Sequence, residues 1–589
     1  MRFLELLVLP LVILFRLLRR PFLLRARRRA AGKDGWVELE LEGAVVDYRP
    51  APEPLYRRLM PWREGPRLVT LIGFERLVHE LQTDPRAKGL LLRFGDAALS
   101  WKSAAQIHQL LAELRAANKE VITWIAHGAA NREYLAASGA RQLWSLPAAI
   151  FAPVGVASSG LFFKETLDRL GVRFEVRAAG KYKSAPDAVT RVDRSEADRE
   201  QTSAIVARLD SALSAAVARG RGITEAEAIA KIDAAPSSGA RAVELGLVDA
   251  LVYDEDVTRK LAPLTESKEP PELVDARAYL AKRRPPPVVQ RRRKVVGIVE
   301  VHGSIVERGG PWGEAMGNAM ATERAVVADL RAAGLSRQVG AVVLHVDSRG
   351  GSVIASDAIL GAVRRLNEEK PVIACFGDVA ASGGYYVACG ARAIVASPLT
   401  ITGSIGVFAM MPTWPELGAR LGLHADVIKN RRHASLFDPW RTPSDEERAH
   451  GQAEVLGMYE AFLAHVAAAR KQDRDWVHAL AQGRVWMGED AKERGLVDGL
   501  GGLKEAIERA KAEAKVRFDE DPKLIRAKKP LPRPDPPEEE DKKPPAALLE
   551  ALWALPVAEA TLIKEILSLL LSSPTERRAF AYDPSGLVG

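Results

Sequence analysis

The sequence is poor in the residues that build metal centres and disulfide frameworks. Its 589 residues include two cysteines and ten histidines. Cys375 and Cys389 lack Cys-x-x-Cys spacing and have no cluster of histidines near them, so neither a zinc site nor a disulfide framework is indicated. We interpret both cysteines as small, buried apolar residues.

A distributed basic surface is also missing. The formal net charge is +8, and residues 1–33 alone carry a net charge of +8, so the remaining residues sum to about zero. Nucleic-acid binding needs basic side chains spread over one face of a folded domain. We therefore predict no nucleic-acid partner.

The N-terminal apolar segment is short for a membrane span. Residues 3–18 fall below the roughly 20 residues that cross a bilayer, and Glu5, Pro10 and Arg16 interrupt them. No small-residue cleavage site follows, so a removed signal peptide is not expected. We predict an uncleaved anchor, either a short span or an interfacial helix, that holds the lipid bilayer through residues 3–29.

The rest of the chain alternates apolar strand patterns with helical ones, which indicates an α/β fold. Strands are predicted at 69–72, 89–94 and 120–125, and helices over 104–117 and 193–219.

This α/β unit occurs twice. Residues 171–176 match residues 422–427, and residues 242–250 match residues 491–499. We predict five regions: a membrane anchor with a basic flank (1–33), a first repeat (34–262), a linker (263–294), a second repeat (295–516), and a charged, proline-rich tail that ends in an apolar helix (517–589).

Ser382 is the first candidate for a catalytic side chain. It follows a predicted strand that begins near Pro371, and Gly383 and Gly384 precede a helical pattern. A serine between a strand and a helix lies near free backbone N–H groups, which can support a nucleophile and the oxyanion it creates. The alternative is a tight turn of small residues with a packing role.

Lys183 is the candidate base, because the two repeats differ reciprocally. Ser382 aligns with Asn131 of the first repeat, and Lys183 aligns with Ala434 of the second. A lysine can activate a serine only where burial or nearby charge favours its neutral form. We therefore expect both residues at an enclosed interface between the domains; the alternative for Lys183 is an ordinary surface lysine.

Gly350 and Gly351 are candidates for the oxyanion site. They lie between an apolar strand, Ala341–Val346, and a helix predicted to begin near Ala355. Adjacent glycines let backbone N–H groups approach a substrate closely, although a plain strand-to-helix turn also uses them. A Ser-His-Asp site is less favoured, because Gly-x-Ser-x-Gly is absent around Ser382 and His345 lies within the apolar strand.

Together these motifs resemble the signal peptide peptidase A family in its long, duplicated bacterial form. The residues that carry the resemblance are Asp347–Val353, Ala380–Tyr386, Leu399–Val407 and Lys181–Ala185. It implies two tandem Clp protease/crotonase-like α/β domains. It also implies a serine endopeptidase with a Ser/Lys dyad that degrades remnant signal peptides and other apolar peptides.

The resemblance also implies roles, partners and a location. Ser404 would orient Lys183, and Gly351 and Gly383, with Gly350 beside them, would form the oxyanion hole. The family implies a homotetramer, no metal or nucleotide cofactor, and a bacterial inner-membrane protein whose body is periplasmic. The arginine-rich flank favours the cytoplasmic side instead.

Two departures and two alternatives accompany this interpretation. Arg349 replaces the usual proline of the glycine turn, and Asp378 stands where a small residue is more common. The first alternative is a crotonase-type acyl-CoA enzyme that uses the same glycine turn. The second is a non-catalytic membrane scaffold of the same fold.

Overall fold

A computed structural model describes residues 27, 29–48, 68–265, 268–283, 294–308, 319–518, 522–527 and 580–581. The chain divides into two compact units. The first comprises Met1–Val156 and Ala207–Arg292, and the second comprises Ala157–Val206 and Arg293–Gly589.

The described residues contain both strands and helices. The strands are β1 Trp36–Val46, β2 Leu68–Thr70, β3 Gly89–Ala98, β4 Glu120–Ile125, β5 Gly128–Ala130, β6 Gln142–Ser145, β7 Ile150–Ala152, β8 Arg173–Ala179, β9 Ser237–Ser238, β10 Ala250–Leu251, β11 Leu273–Asp275, β12 Val295–His302, β13 Ser304–Val306, β14 Met320–Thr322, β15 Val339–Ser348, β16 Gly351–Ser352, β17 Val372–Ala381, β18 Ala393–Ala396, β19 Ile401–Gly403, β20 Val407–Thr413, β21 Val485–Met487, β22 Gly499–Leu500, β23 Lys523–Leu524 and β24 Phe580–Ala581. The helices are α1 Leu71–Thr83, α2 Trp101–Ala116, α3 Asn131–Ala137, α4 Lys164–Leu170, α5 Asp187–Thr190, α6 Glu196–Arg221, α7 Glu225–Asp233, α8 Gly239–Glu244, α9 Val257–Leu261, α10 Ala276–Arg283, α11 Glu323–Leu335, α12 Val353–Glu369, α13 Gly383–Ala388, α14 Pro415–Arg420, α15 Asp445–Arg470, α16 Arg474–Leu480, α17 Gly488–Glu493 and α18 Leu503–Ala514. Short 3-10 turns occupy Asp254–Asp256 and Ala262–Leu264.

The first unit contains a parallel sheet in the order β10-β6-β4-β3-β1-β11, with β2 also paired to β1. The strands predicted at 89–94 and 120–125 are confirmed as β3 and β4. The strand predicted at 69–72 is wrong in its second half, because α1 begins at Leu71. Leu71, Phe74, Leu77 and Leu81 are all buried at helical spacing, and this apolar face favours the helix.

Part of the predicted linker belongs to the first unit's core. β11 pairs in parallel with β1, and α10 follows it. Tyr279 of α10 is completely buried, and its hydroxyl donates a hydrogen bond to the backbone oxygen of Glu80 at 3.1 Å. The proline-rich composition around this segment concealed a short strand and helix that bury apolar side chains.

The second unit contains a sheet in the order β21-β19-β17-β15-β12-β23, with β18 on β17 and β22 on β18. The pairs among β12, β15, β17, β18 and β19 are parallel, while β21 is antiparallel to β19. β15 and β17 are almost continuously buried, as expected for parallel strands covered on both faces. Cys375 on β17 and Cys389 after α13 are both buried, as predicted, and they are not joined in a disulfide.

The compact units differ from the sequence repeats at one segment. β8, which belongs to the first repeat by sequence, pairs antiparallel with β20 of the second along seven residues, from Arg173 opposite Thr413 to Ala179 opposite Val407. This ladder places residues 157–206, including Lys183, in the second unit.

The predicted N-terminal anchor at 3–18 and the apolar tail helix at 546–572 lie outside the described residues. Among the residues that are described, no helix combines the length and the hydropathy that crossing a bilayer requires.

Candidate active site

Ser382 lies where β17 ends and α13 begins, in the second unit. Its side chain is fully buried, and its backbone has φ 54° and ψ −117°, a conformation that costs a non-glycine residue about 1–3 kcal/mol. Its N–H donates to the backbone oxygen of Gly403 at 2.9 Å, and its own oxygen accepts from the N–H of Tyr386 at 2.9 Å. Both ends of the residue are thus held in place by the sheet and the helix.

Lys183 reaches Ser382 from the segment after β8. The lysine is 5% exposed, and its Nζ lies 3.0 Å from Oγ of Ser382. It also donates to Oγ of Ser404 at 2.8 Å and to the backbone oxygen of Ser404 at 3.1 Å. The structure therefore brings together Ser382 and Lys183, which the repeats predicted, and Ser404, which the resemblance implied. They lie within one compact unit, not at the expected interface between domains.

Ser404 follows β19 and has φ 51°. Its N–H donates to the backbone oxygen of Arg484 at 2.7 Å, just before β21, and its side chain is 2% exposed. The hydroxyl and the carbonyl of this one residue both face the lysine amine.

The glycine turn converges on the same place. Gly350 and Gly351 have φ values of 108° and 152°, which favour glycine, and β16 pairs with β13 through Gly351 and Ile305. A Cβ atom on Gly351 would lie 2.0 Å from the backbone oxygen of Ile305. A Cβ atom on Gly383 would lie 3.2 Å from the backbone nitrogen of Gly351. The backbones of Gly351 and Gly383 are thus in close contact beside Ser382.

An extended segment of the chain occupies the free edge of this turn. Phe580–Ala581 pairs antiparallel with Gly351–Ser352. The edge beside Ser382 therefore accepts an extended backbone as an added strand.

Two titratable groups on the segments that carry Lys183 and Ser382 have shifted pKa values. The hydroxyl of Tyr182 donates to Glu200 at 2.9 Å and lowers the pKa of that carboxyl group below its usual range. Burial raises the pKa of the Cys389 thiol to about 12, so this thiol stays protonated near neutral pH and is a poor nucleophile.

The first repeat has none of this geometry at the matching position. Asn131 begins α3, and its side-chain amide donates to the backbone oxygen of Gly155 at 2.7 Å. It is not among the residues with positive φ, unlike Ser382.

Sequence reasoning missed a buried polar network behind Lys183. Ser184 donates to Asp198 at 2.8 Å, and Gln201 donates to Ser184 at 3.0 Å. Asp198 and Gln201 are three residues apart on α6, a spacing that puts them on one helix face. In sequence, polar residues on a long charged helix resemble a solvated surface, so the pattern carried no usable signal.

The chain matches the model of peptidase family S49 over residues 113–268 and 364–517, one segment in each repeat. A parallel α/β fold with a buried serine–lysine pair, together with this match, defines a serine peptidase. The chain belongs to peptidase family S49 in its duplicated form, and the acyl-CoA alternative is not favoured.

Curated relatives cover most of the chain. It is 31% identical to Protease 4 of Salmonella typhi over 82% of this chain and 79% of the relative. It is 29% identical to "Serine protease SPPA, chloroplastic" of Arabidopsis thaliana over 76% of this chain and 66% of the relative. A shorter match, 34% identical, links 31% of this chain to 53% of "Putative signal peptide peptidase SppA" of Enterococcus faecium.

Among solved structures, ClpP1 from Listeria monocytogenes aligns with 36% of this chain and 94% of its own chain. The sequence identity is 15% and the TM-score is 0.22. A score of that size supports no argument about this chain.

Proposed function

We propose that this protein is a membrane-associated serine endopeptidase that degrades remnant signal peptides and other apolar peptides. The observation that carries the proposal is the 3.0 Å contact between two buried side chains, Lys183 Nζ and Ser382 Oγ. The Enterococcus faecium relative named as a signal peptide peptidase supports the substrate class. The antiparallel pairing of Phe580–Ala581 with Gly351–Ser352 supports an extended peptide as the ligand.

In this mechanism Lys183 acts as a neutral amine and takes the proton of Ser382 while Oγ attacks the scissile carbonyl carbon. The N–H groups of Gly351 and Gly383 hold the oxyanion that forms, with Gly350 shaping the turn. The ammonium of Lys183 then gives its proton to the departing amine, and the peptide bond breaks. The acyl group remains on Ser382.

The second half of the cycle uses the same groups. Water attacks the ester carbon as Lys183 takes one of its protons, and return of a proton to Oγ releases the acid and free Ser382. Ser404 keeps the amine directed at Ser382 through its 2.8 Å and 3.1 Å contacts. The burial of the amine favours its neutral form, which the first step requires.

The membrane anchor is proposed from the N-terminal sequence, and the assembly and the periplasmic location are proposed from the family resemblance. Residues 3–29 would anchor the protein in a bacterial inner membrane, and the body would lie on the periplasmic side. The chain would form a homotetramer. Protease protection in inverted and right-side-out vesicles tests the side of the membrane. If added protease digests the body of this protein only in right-side-out vesicles without an outer membrane, the body is periplasmic. Digestion only in inverted vesicles contradicts a periplasmic body.

The activity is tested with Ser382→Ala and Lys183→Ala. Each variant should lose cleavage of a fluorogenic apolar peptide while keeping the wild-type thermal unfolding midpoint. A fluorophosphonate probe should label the wild type and not Ser382→Ala. Turnover by Lys183→Ala at a rate near wild type would contradict the Ser/Lys dyad. A wild-type protein that the probe does not label would favour the scaffold alternative.

A further inference from the structure

One buried amide joins the backbone segments that carry the dyad. Gln201, on the part of α6 that belongs to the second unit, is 4% exposed. Its Nε2 donates to the backbone oxygen of Tyr182 at 3.2 Å and to Oγ of Ser184 at 3.0 Å. These two residues flank Lys183, so the amide binds the chain on both sides of the lysine.

The oxygen of the same amide binds the backbone of β21. Oε1 of Gln201 accepts a hydrogen bond from the N–H of Val485 at 3.3 Å. Val485 lies opposite Gly403 in the pairing of β21 with β19. Gly403 accepts from the N–H of Ser382, and Arg484, which precedes Val485, accepts from the N–H of Ser404. One side chain therefore connects the lysine segment with the strands that fix both serines.

A buried carboxylate keeps the amide network in one arrangement. Asp198 is 6% exposed, accepts from Ser184 at 2.8 Å and from Gln201 at 3.2 Å, and pairs with Arg194 at 2.7 Å. A carboxylate accepts only, so it directs the Ser184 hydroxyl and the Gln201 amide toward itself. The network has few alternative hydrogen-bonding patterns, which suits a role in positioning.

We propose that Gln201 is a positioning residue that sets the distance between the Lys183 amine and the hydroxyls of Ser382 and Ser404. This inference rests on the proposed Ser/Lys mechanism. Gln201 acts through Tyr182, Ser184 and Val485 and touches neither hydroxyl in the described contacts. A misplacement of about 1 Å in a reacting pair can cost about 100-fold in rate. Loss of the amide should therefore lower kcat and leave KM nearly unchanged.

The test uses Gln201→Met, which keeps the length of the side chain and removes its hydrogen bonds. We expect kcat on a fluorogenic apolar peptide to fall by roughly 10- to 100-fold, with KM within about 3-fold of wild type. The matched control is Gln452→Met. Gln452 donates to the backbone oxygen of Ala178 at 3.0 Å, and in the described contacts it binds neither Tyr182, Ser184 nor Val485. The ladder with β20 fixes β8 along seven residues without this bond. This control should keep kcat within about 3-fold of wild type.

Four results separate failure of the positioning role from failure of folding or of the mechanism. Equal kcat for Gln201→Met and wild type, or equal losses in Gln201→Met and Gln452→Met, would overturn the positioning role. If Gln201→Met does not fold, Gln201→Asn keeps the amide but shortens its reach, and it should also lower kcat and leave KM unchanged. Ser382→Ala and Lys183→Ala are measured in parallel, because activity in those variants would overturn the mechanism itself.

Discussion

The most direct test of how the lysine is held is removal of the Ser404 hydroxyl. Its Oγ accepts from Lys183 Nζ at 2.8 Å in a buried site. In the proposed mechanism this amine becomes an ammonium when Ser382 gives up its proton. A hydrogen bond to a charged group contributes about 1.5–3 kcal/mol, and each 1.36 kcal/mol is tenfold in rate. Ser404→Ala should therefore lower kcat by roughly 10- to 150-fold.

The backbone of Ser404 calls for a second variant. At φ 51° an alanine keeps the strain of the native residue, whereas Ser404→Gly relieves it. Both variants lose the hydroxyl, so both should show the same fall in kcat while their thermal unfolding midpoints differ. Stopped-flow labelling by a fluorophosphonate and steady-state cleavage of a fluorogenic peptide would measure the effect. A kcat within about 3-fold of wild type in both variants would refute the reasoning.

Two further predictions concern the turn and acid stability. Gly351→Ala should lower kcat at least about 100-fold and also lower the thermal unfolding midpoint. The added Cβ would lie 2.0 Å from the backbone oxygen of Ile305 and would displace the proposed oxyanion donor. Wild-type turnover would contradict this prediction. The Arg441 guanidinium lowers the pKa of Glu447 to about 2 from 4.5, so this stabilisation is present above about pH 4.5 and is lost as the pH falls toward 2. Glu447→Gln should lower the free energy of unfolding, measured with denaturant, by about 2 kcal/mol at pH 7 and by almost nothing near pH 2. The loss at pH 7 is somewhat smaller than the whole pKa shift would give, because solvent screens the ion pair. An equal loss at both pH values would contradict this prediction.

The strand pattern of the core could be predicted from the sequence because parallel strands are continuous apolar runs. β3 and β4 begin at their predicted residues, and β17 begins within the predicted apolar run near Pro371. The predicted boundary was wrong at α1, where an apolar run belongs to a helix. A short apolar run is compatible with either a strand or a helix. The strand and helix at 273–283 were missed because charged and proline-rich neighbours dominate that composition.

The proximity of Ser382 and Lys183 was predictable because the two repeats provide an internal comparison. Each repeat lacks the residue that the other keeps, and this reciprocal loss indicates one shared site. The hydrogen bonds around Gln201 had no such signal. An amide on a helix face becomes informative only when the segment after β8 is known to cover it.

The location of the site depends on the pairing of β8 with a strand of the second repeat, and no spacing in the sequence specifies this pairing. The first repeat's β8 pairs with β20 along seven residues, whereas its counterpart in the second repeat, residues 424–430, forms no strand in the described structure and is exposed. The ladder from Arg173 to Ala179 ends four residues before Lys183, so its register sets where the lysine enters the site. A one-residue slip would turn the side chains of β8 to the opposite face. The division into repeats is thus a property of the sequence, whereas the unit that holds both Lys183 and Ser382 is defined by strand pairing.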